Sequence, residues 1–326
     1  MEHYVTLFDS LYLPQGLALH RSMQRHAGDY TLWILCMDDE VYVMLGHLNL
    51  ANVRLLPLSK LETDELIRVK SDRSKGEYCW TLTPFSPRFV FEADPLVQRV
   101  TYLDADLWFR KNPNPIFREF ETSGKQVLIT DHAYAPEYDR SDTSGQYCVQ
   151  FVVFNRDGGE LVRKWWEARC VEWCYARTED GKFGDQKYLD DWPERFSQLV
   201  HVLADKELML APWNATRFPY SRGICWHFHE LRIVRGWLAG RYAVDCGSYP
   251  LPKPVKRFIY QEYFKDLGAA LHMIRGFGWQ IRTQRKRSLT DVFVELFAGY
   301  WQQNWRVRIH WHQALVINSF VGKRRE

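Results

Sequence analysis

Tyr102-Leu103-Asp104-Ala105-Asp106-Leu107 is the stretch on which the fold turns: a short apolar run, Val100 to Leu103, ends in two carboxylates separated by one small residue. An apolar segment that stops abruptly at acidic residues is the pattern of a buried strand delivering side chains to the edge of a sheet. Two carboxylates there offer the hard oxygen ligands that Mg²⁺ or Mn²⁺ takes, and such a cation completes its shell with diphosphate oxygens and water. An isolated DxD is more often a solvated acidic loop, so the flanking sequence has to decide.

The flanks read as alternating strands and helices. Tyr4 to Phe8 is an apolar run closed by Asp9 and Ser10, after which Leu13, Leu17, Leu19 and Met23 recur at roughly helical spacing. Thr31 to Met37 is a second strand that stops at Asp38 and Asp39, and a helical stretch around Val41 to Leu50 leads to a third, Val53 to Leu58. Leu61 to Arg99 reads as helical cover for a sheet. Beyond the DxD, Val127 to Thr130 and Cys148 to Asn155 are strands, joined by a polar loop and followed by a Trp-rich helix from about Gly159 to Arg177. This order predicts an α/β fold whose sheet is mostly parallel and carries helices on both faces, with ligands gathering at the carboxyl ends of the strands.

Composition sets the bounds. The 326 residues are 46% hydrophobic and 15% aromatic, enough to build a sizeable core and far from a disordered chain. Seven cysteines lie scattered without CxxC spacing, no signal-peptide pattern opens the chain, and no apolar run reaches the roughly 18 residues of a membrane span. The expectation is a cytoplasmic protein with reduced thiols. The net charge of +3 conceals an asymmetry: residues 253–326 hold 14 Lys and Arg against 5 Asp and Glu, while 1–252 hold 29 against 35. Two domains are expected, an acidic catalytic body over 1–252 and a basic, aromatic, helical extension over 253–326.

Four segments together resemble nucleotide-sugar glycosyltransferases of the GT-A fold, most closely the glycogenin and lipopolysaccharide galactosyltransferase type (glycosyltransferase family 8-like), over about residues 3 to 235. The first is Val5 to Tyr12; carried over from that family, Phe8, Asp9 and Tyr12 are nucleotide contacts. The second is Tyr102 to Asp106, with Asp104 and Asp106 at the metal and Asp104 also touching the donor. The third, Gly184-Asp185-Gln186, is similar to the segment the family places under the anomeric carbon, which makes Asp185 and Gln186 the catalytic pair. The fourth, Trp226-His227-Phe228-His229-Glu230, resembles HxxGxxK and puts His227 on the metal. It departs from the pattern, since Glu230 stands for the Gly and Ile233 for the Lys. The resemblance then needs its diphosphate cation from Arg232 or Arg235. His227 and His229 also alternate like strand residues on one face, which by itself is an ordinary packing pattern.

Weaker assignments follow from the same resemblance. Arg88 stands about where the family keeps a basic donor contact, and Cys148 falls on the family's sugar-reaching Asn, leaving Gln150, Asn155 or, better placed, Asp131 for sugar hydroxyls. Pro212, Trp213 and Asn214 are candidates for the acceptor wall.

The resemblance implies a GT-A (Rossmann-like) mixed, mostly parallel sheet and an enzyme using Mn²⁺ or Mg²⁺. Its reaction would be the transfer of a sugar from a nucleoside diphosphate donor, UDP first, to a glycan or lipid-linked acceptor in surface polysaccharide synthesis, with retention. Two other readings stay open. Nucleotidyl transfer wants a Gly-rich basic loop after the first strand, which Phe8 to Gly16, FDSLYLPQG, does not supply. A non-catalytic scaffold is allowed by the departures at Glu230 and Ile233.

In the extension, Phe258, Tyr260, Tyr263, Phe264, Leu267, Phe277, Trp279, Phe297, Tyr300, Trp301, Trp305 and Trp311 alternate with cations, and Arg282 to Arg287 holds four in six residues. Such segments suit an anionic membrane surface, making the protein peripheral at the inner face, and suit equally helices packed on the catalytic body. Nucleic acid is the unlikely partner.

Overall fold

The computed structural model describes residues 1–235, 242–283 and 285–286. From the N-terminus run β1 (Glu2–Phe8), α1 (Leu13–His26), β2 (Tyr30–Cys36), α2 (Asp39–Leu48), β3 (Val53–Pro57), α3 (Asp64–Lys70), α4 (Lys75–Leu82), α5 (Phe85–Ala93), β4 (Arg99–Leu103), β5 (Leu107–Phe109), α6 (Asn114–Ser123) and β6 (Val127–Asp131). Then follow α7 (Ser141–Ser144), β7 (Tyr147–Asn155), α8 (Glu160–Glu172), α9 (Trp192–Arg195), β8 (Val200–Val202), β9 (Met209–Leu210), β10 (Cys225–His227), β11 (Arg232–Arg235), β12 (Tyr242–Asp245), α10 (Lys253–Val255), α11 (Gln261–Gly276) and β13 (Arg285–Lys286).

β2 is buried throughout and β1 from Tyr4 to Phe8, because both lie mid-sheet with helices on both faces. The main sheet has the order β3-β2-β1-β4-β7-β6-β8. It is parallel from β3 to β4, and β7 runs antiparallel between β4 and β6. Successive residues of one strand face opposite sides. Tyr4, Phe8, Leu103 and Phe151 join a core with α1 and α6, while Val5, Leu7, Tyr102 and Val152 join another with α4, α5 and α8. The chain winds outward from β1 to β3 and returns to β4 on the other side of β1. The carboxyl ends of β1 and β4 therefore flank the point where the winding reverses, which in α/β sheets is where ligands bind. The Trp-rich helix is shorter than its sequence pattern, ending at Glu172 rather than Arg177.

α11 carries Tyr263, Phe264, Leu267, Ala270, Leu271 and Ile274 at helical spacing, and all are buried in the core that contains α1. Phe228 stacks on Tyr263 with ring centroids 3.5 Å apart. Of the extension's aromatics, Tyr260, Tyr263 and Phe264 are thus core residues, whereas Phe258 and Phe277 are exposed. Phe297, Tyr300, Trp301, Trp305 and Trp311 lie outside the described residues. No helix among the described residues is long and apolar enough to cross a membrane. All seven cysteines are free thiols.

Candidate active site

The DxD lies in the turn between β4 and β5. Asp104 donates its backbone N–H to the Gln150 carbonyl at 3.1 Å, and Leu107 N–H returns to the Asp104 carbonyl at 3.1 Å, so the turn is held against β7. β10 pairs antiparallel with β5 in the register His227↔Leu107. Phe228 N–H closes the contact on the Asp106 carbonyl at 2.9 Å. This pairing, between segments about 120 residues apart, brings the imidazole to the carboxylates. His227 Nε2 stands 3.0 Å from Asp106 Oδ1 and 3.6 Å from Asp104 Oδ2. One ligand atom from each of the three lies within 4.8 Å of the others.

Electrostatics marks the cluster as short of positive charge. Burial pushes the Asp104 carboxyl up to about 6; His227 opposes the shift and Asp106 adds to it. For Asp106 burial also raises the value, but the His227 charge and hydrogen bond outweigh it and hold the group below the usual carboxylate range. Burial disfavours the His227 cation, yet Asp106, with help from Cys148 and Asp104, carries its pKa well above the ordinary value. In effect a proton on His227 partly neutralises two acids. A divalent cation would do so more fully, and two carboxylate oxygens plus an imidazole nitrogen form a donor set that fits Mn²⁺ or Mg²⁺.

Asp185 is 2% exposed and lies in the same region, close enough to Asp104 to feel its charge. The Thr83 hydroxyl, which donates to the Cys79 carbonyl at 3.3 Å, lies beside both Asp185 and Tyr102, and the Tyr102 hydroxyl donates to Asp104 Oδ1 at 3.0 Å. Burial raises Asp185 to about 7, with Thr83 opposing and Asp104 reinforcing. Its Oδ2 has no partner among the described residues. Gly184 shapes the approach: it sits at φ +52, and a Cβ there would stand 3.2 Å from the Trp80 ring. Trp166 then fixes the next residue by donating its indole N–H to the Asp185 carbonyl at 2.8 Å. Thr83 gave no signal in the sequence, being one hydroxyl in an apolar helical stretch.

On the other flank, Asp9 caps the turn after β1, its Oδ1 accepting from Leu11 and Tyr12 N–H at 3.0 and 3.3 Å. Tyr12 lies among Asp9, Asp106 and Arg232, and burial is the main cause that pushes its phenol up to about 12. Arg232 bonds the Leu231 carbonyl and makes no ion pair among the described residues, although Asp106 and Tyr12 both feel its charge. Phe8 is different. Its ring is buried over Gly16, where a Cβ would stand 2.5 Å from it, so the side chain is core.

Glu230 occupies the left-handed region at φ +62. A glycine would sit there without strain, whereas a residue with a side chain spends roughly 1 kcal/mol. A glycine at this point, as HxxGxxK has, would carry no such cost. The structure shows what the glutamate does instead: Oε2 accepts from the backbone N–H and the hydroxyl of Ser248, each at 2.9 Å. Ile233 is buried in the core, and the side chain of Arg235 lies outside what is described.

Several expected residues stand elsewhere or are engaged. Arg88 pairs with Glu92 at 2.8 Å and reaches Glu167 at 3.8 Å on the helical layer, with no contact to the cluster. Asp131, the last residue of β6, takes Lys206 at 2.6 Å, Ala133 N–H at 2.6 Å and Gln146 at 3.3 Å. Gln186 donates to the Ser144 carbonyl at 2.6 Å, and Asn155, at the far end of β7, to Gln126 at 3.1 Å. Trp213 packs against the cluster's histidines: its ring lies 5.3 Å from that of His227 and 5.2 Å from that of His229, edge to face. Cys148 lies against His227, and Asn214 is buried on backbone groups of Ala211, His132 and Met209.

A mixed, mostly parallel sheet with these carboxylates at its switch point defines a GT-A domain. An active-site mutant of the galactosyltransferase LgtC shares the fold, at 12% identity and a TM-score of 0.50 over 82% of this chain and 95% of that one. No protein-family model matches. Two Bacillus subtilis strain 168 relatives, described as the uncharacterized proteins YfnF and YfnD, are each 30% identical to this chain. YfnF aligns over 252 residues, 75% of this chain and 78% of its own length, and YfnD over 220 residues, 66% and 70%. The chain belongs to the family of YfnF and YfnD.

Proposed function

We propose that this chain is a metal-dependent glycosyltransferase that moves a sugar from a nucleoside diphosphate donor, UDP-linked first, onto a hydroxyl of a glycan or lipid-linked acceptor. The observation that carries the reading is the convergence of Asp104, Asp106 and His227 at the carboxyl ends of β1 and β4, between Tyr12 with Arg232 on one side and Asp185 on the other. Asp104, Asp106 and His227 hold Mn²⁺ or Mg²⁺, which when bound neutralises charge on the diphosphate leaving group. Arg232 adds a cation to the same phosphates. Asp9 and Tyr12 receive the nucleoside. Asp185, buried with one oxygen unpartnered, faces the sugar and stabilises positive charge as the donor bond breaks, in a reaction with retention. Trp213 closes the far wall and excludes water from the reacting centre.

The acceptor belongs to surface polysaccharide synthesis, and the chain works in the cytoplasm on the inner face of the membrane. Residues 253–326 form its basic extension: the part from Tyr260 to Ile274 anchors to the catalytic body, and the cations beyond it meet anionic lipid.

A panel of nucleotide sugars, assayed for slow metal-dependent hydrolysis without acceptor, tests the reading. Turnover of one donor, lost with EDTA and restored by Mn²⁺, is the expected result. A chain that neither hydrolyses any donor nor binds Mn²⁺ or UDP would be a scaffold.

A further inference from the structure

We propose that Glu230 is a positioning residue whose grip on Ser248 sets His227 and Arg232 jointly over Asp106; the proposal rests on the reading of those two residues as metal ligand and phosphate cation. The turn from Phe228 to Leu231 is the short link between them. Phe228 N–H is tied to the Asp106 carbonyl at 2.9 Å, and Leu231 N–H closes the turn on the Phe228 carbonyl at 3.0 Å. Between these ties stands Glu230, left-handed at φ +62. Its backbone conformation needs an external hold, and its side chain provides one.

Two independent observations show that the hold is built. Oε2 accepts both the N–H and the hydroxyl of Ser248 at 2.9 Å. Gly247, at φ +79, leaves the space that the glutamate fills: a Cβ on Gly247 would meet Glu230 Cβ at 2.6 Å and Oε2 at 2.8 Å. The loop after β12 is thereby clasped onto the turn. Tyr249, the next residue along, packs edge to face on His229 at 6.4 Å and on Tyr138 at 5.3 Å, extending the clasp toward Trp213. The second oxygen, Oε1, stands 3.9 Å from His229 Nε2, beyond hydrogen-bond reach. Glu230 itself does not touch the carboxylate cluster, so any effect it has on ligands passes through the turn.

The test compares the full-length wild type with Glu230→Gln, Glu230→Gly and Glu230→Ala by calorimetric titration of Mn²⁺ and of UDP with Mn²⁺, alongside thermal melting. Glutamine keeps an oxygen that can accept both Ser248 bonds, so it should bind like wild type. Glycine removes the backbone strain and the clasp together: it should melt no lower than Ala, yet bind UDP with Mn²⁺ about 10-fold more weakly, the usual scale for losing a supporting contact around a metal site. A purely structural role would make affinity follow melting temperature across the series. Wild-type affinity in Glu230→Gly, or an equal loss in Glu230→Gln, overturns the proposal while leaving the function standing. A wild type that binds neither Mn²⁺ nor UDP overturns both.

Discussion

The Tyr102 hydroxyl donates to Asp104 Oδ1 at 3.0 Å, while the other oxygen of that carboxylate, Oδ2, stands 3.6 Å from His227 Nε2. One residue of the strand therefore orients a carboxylate two residues on, and the free oxygen is the one turned toward the cluster. Tyr102→Phe removes only the hydroxyl from a buried ring and should weaken Mn²⁺ binding about 10-fold with the fold intact. Calorimetry with Mn²⁺ measures it; an unchanged affinity would mean that the bond does not orient Asp104.

Asp104→Ala and Asp106→Ala each remove a carboxylate of the proposed metal site, and donor turnover should fall at least about 10²-fold while the circular dichroism spectrum stays native. His227→Ala should weaken metal and donor binding. His229→Ala should do so far less, because its ring packs against Trp213 and Tyr249. Mn²⁺ titration of the four variants ranks them, and a larger loss at His229 than at His227 would exchange the two roles.

Asp185 makes stability depend on pH. Burial holds its proton until about pH 7, against an ordinary value of 3.8. Between those values the native protein binds more protons at this position than the unfolded chain, so the contribution of Asp185 is fully present below 3.8 and lost as pH rises toward 7. Asp185→Asn has no charge to bury and should gain stability relative to wild type as pH rises from 4 to 8. Urea midpoints of both proteins across that range give the difference; a constant offset would show that Asp185 ionises normally.

Asp266 ties three elements together. Its carboxylate, buried on α11, accepts from Arg21 at 3.3 Å and from Arg25, both on α1, and from the Trp108 indole on β5 at 2.8 Å. Asp266→Ala leaves a buried indole N–H without an acceptor and should cost about 2 kcal/mol, with Asp266→Asn losing less. Chemical denaturation reads the two. Equal stability of all three proteins would place the anchorage of α11 in apolar packing alone.

Truncation separates the two halves of the extension. Removing residues 253–326 deletes Tyr260, Tyr263 and Phe264 from the core, each fully buried aromatic side chain contributing about 3 kcal/mol or more, and should abolish cooperative unfolding. Removing only 287–326 keeps β13 and the buried aromatics of α11 and should release the protein from anionic vesicles. Binding by the full chain should also weaken in 1 M salt, where screening shortens to about 3 Å. Co-sedimentation decides the second point, and a full chain that never pellets with vesicles would reject the membrane contact.

What the sequence determined by itself was local or periodic. Apolar runs stopping at Asp9, Asp38 and Asp104 were enough to place the parallel strands, since a strand buried on both faces must be continuous in apolar residues and its polar end must emerge at an edge. The DxD was legible because its two acids and the strand that bears them are contiguous.

What only the tertiary structure decided depends on pairings between distant segments. The register of β5 with β10 brings His227 to Asp106, and the fold sets Asp185 close enough to Asp104 to feel its charge. Arg88 and Asp131 are answered by Glu92 and Lys206. Hydrogen bonds and ion pairs form with whatever partner lies within about 3 Å, and spacing along the chain carries no information about a partner one hundred residues away. For the same reason the aromatic run from Tyr260 to Phe264 read equally as membrane anchor or core, until α11 was seen lying against α1, with Tyr263 stacked on Phe228.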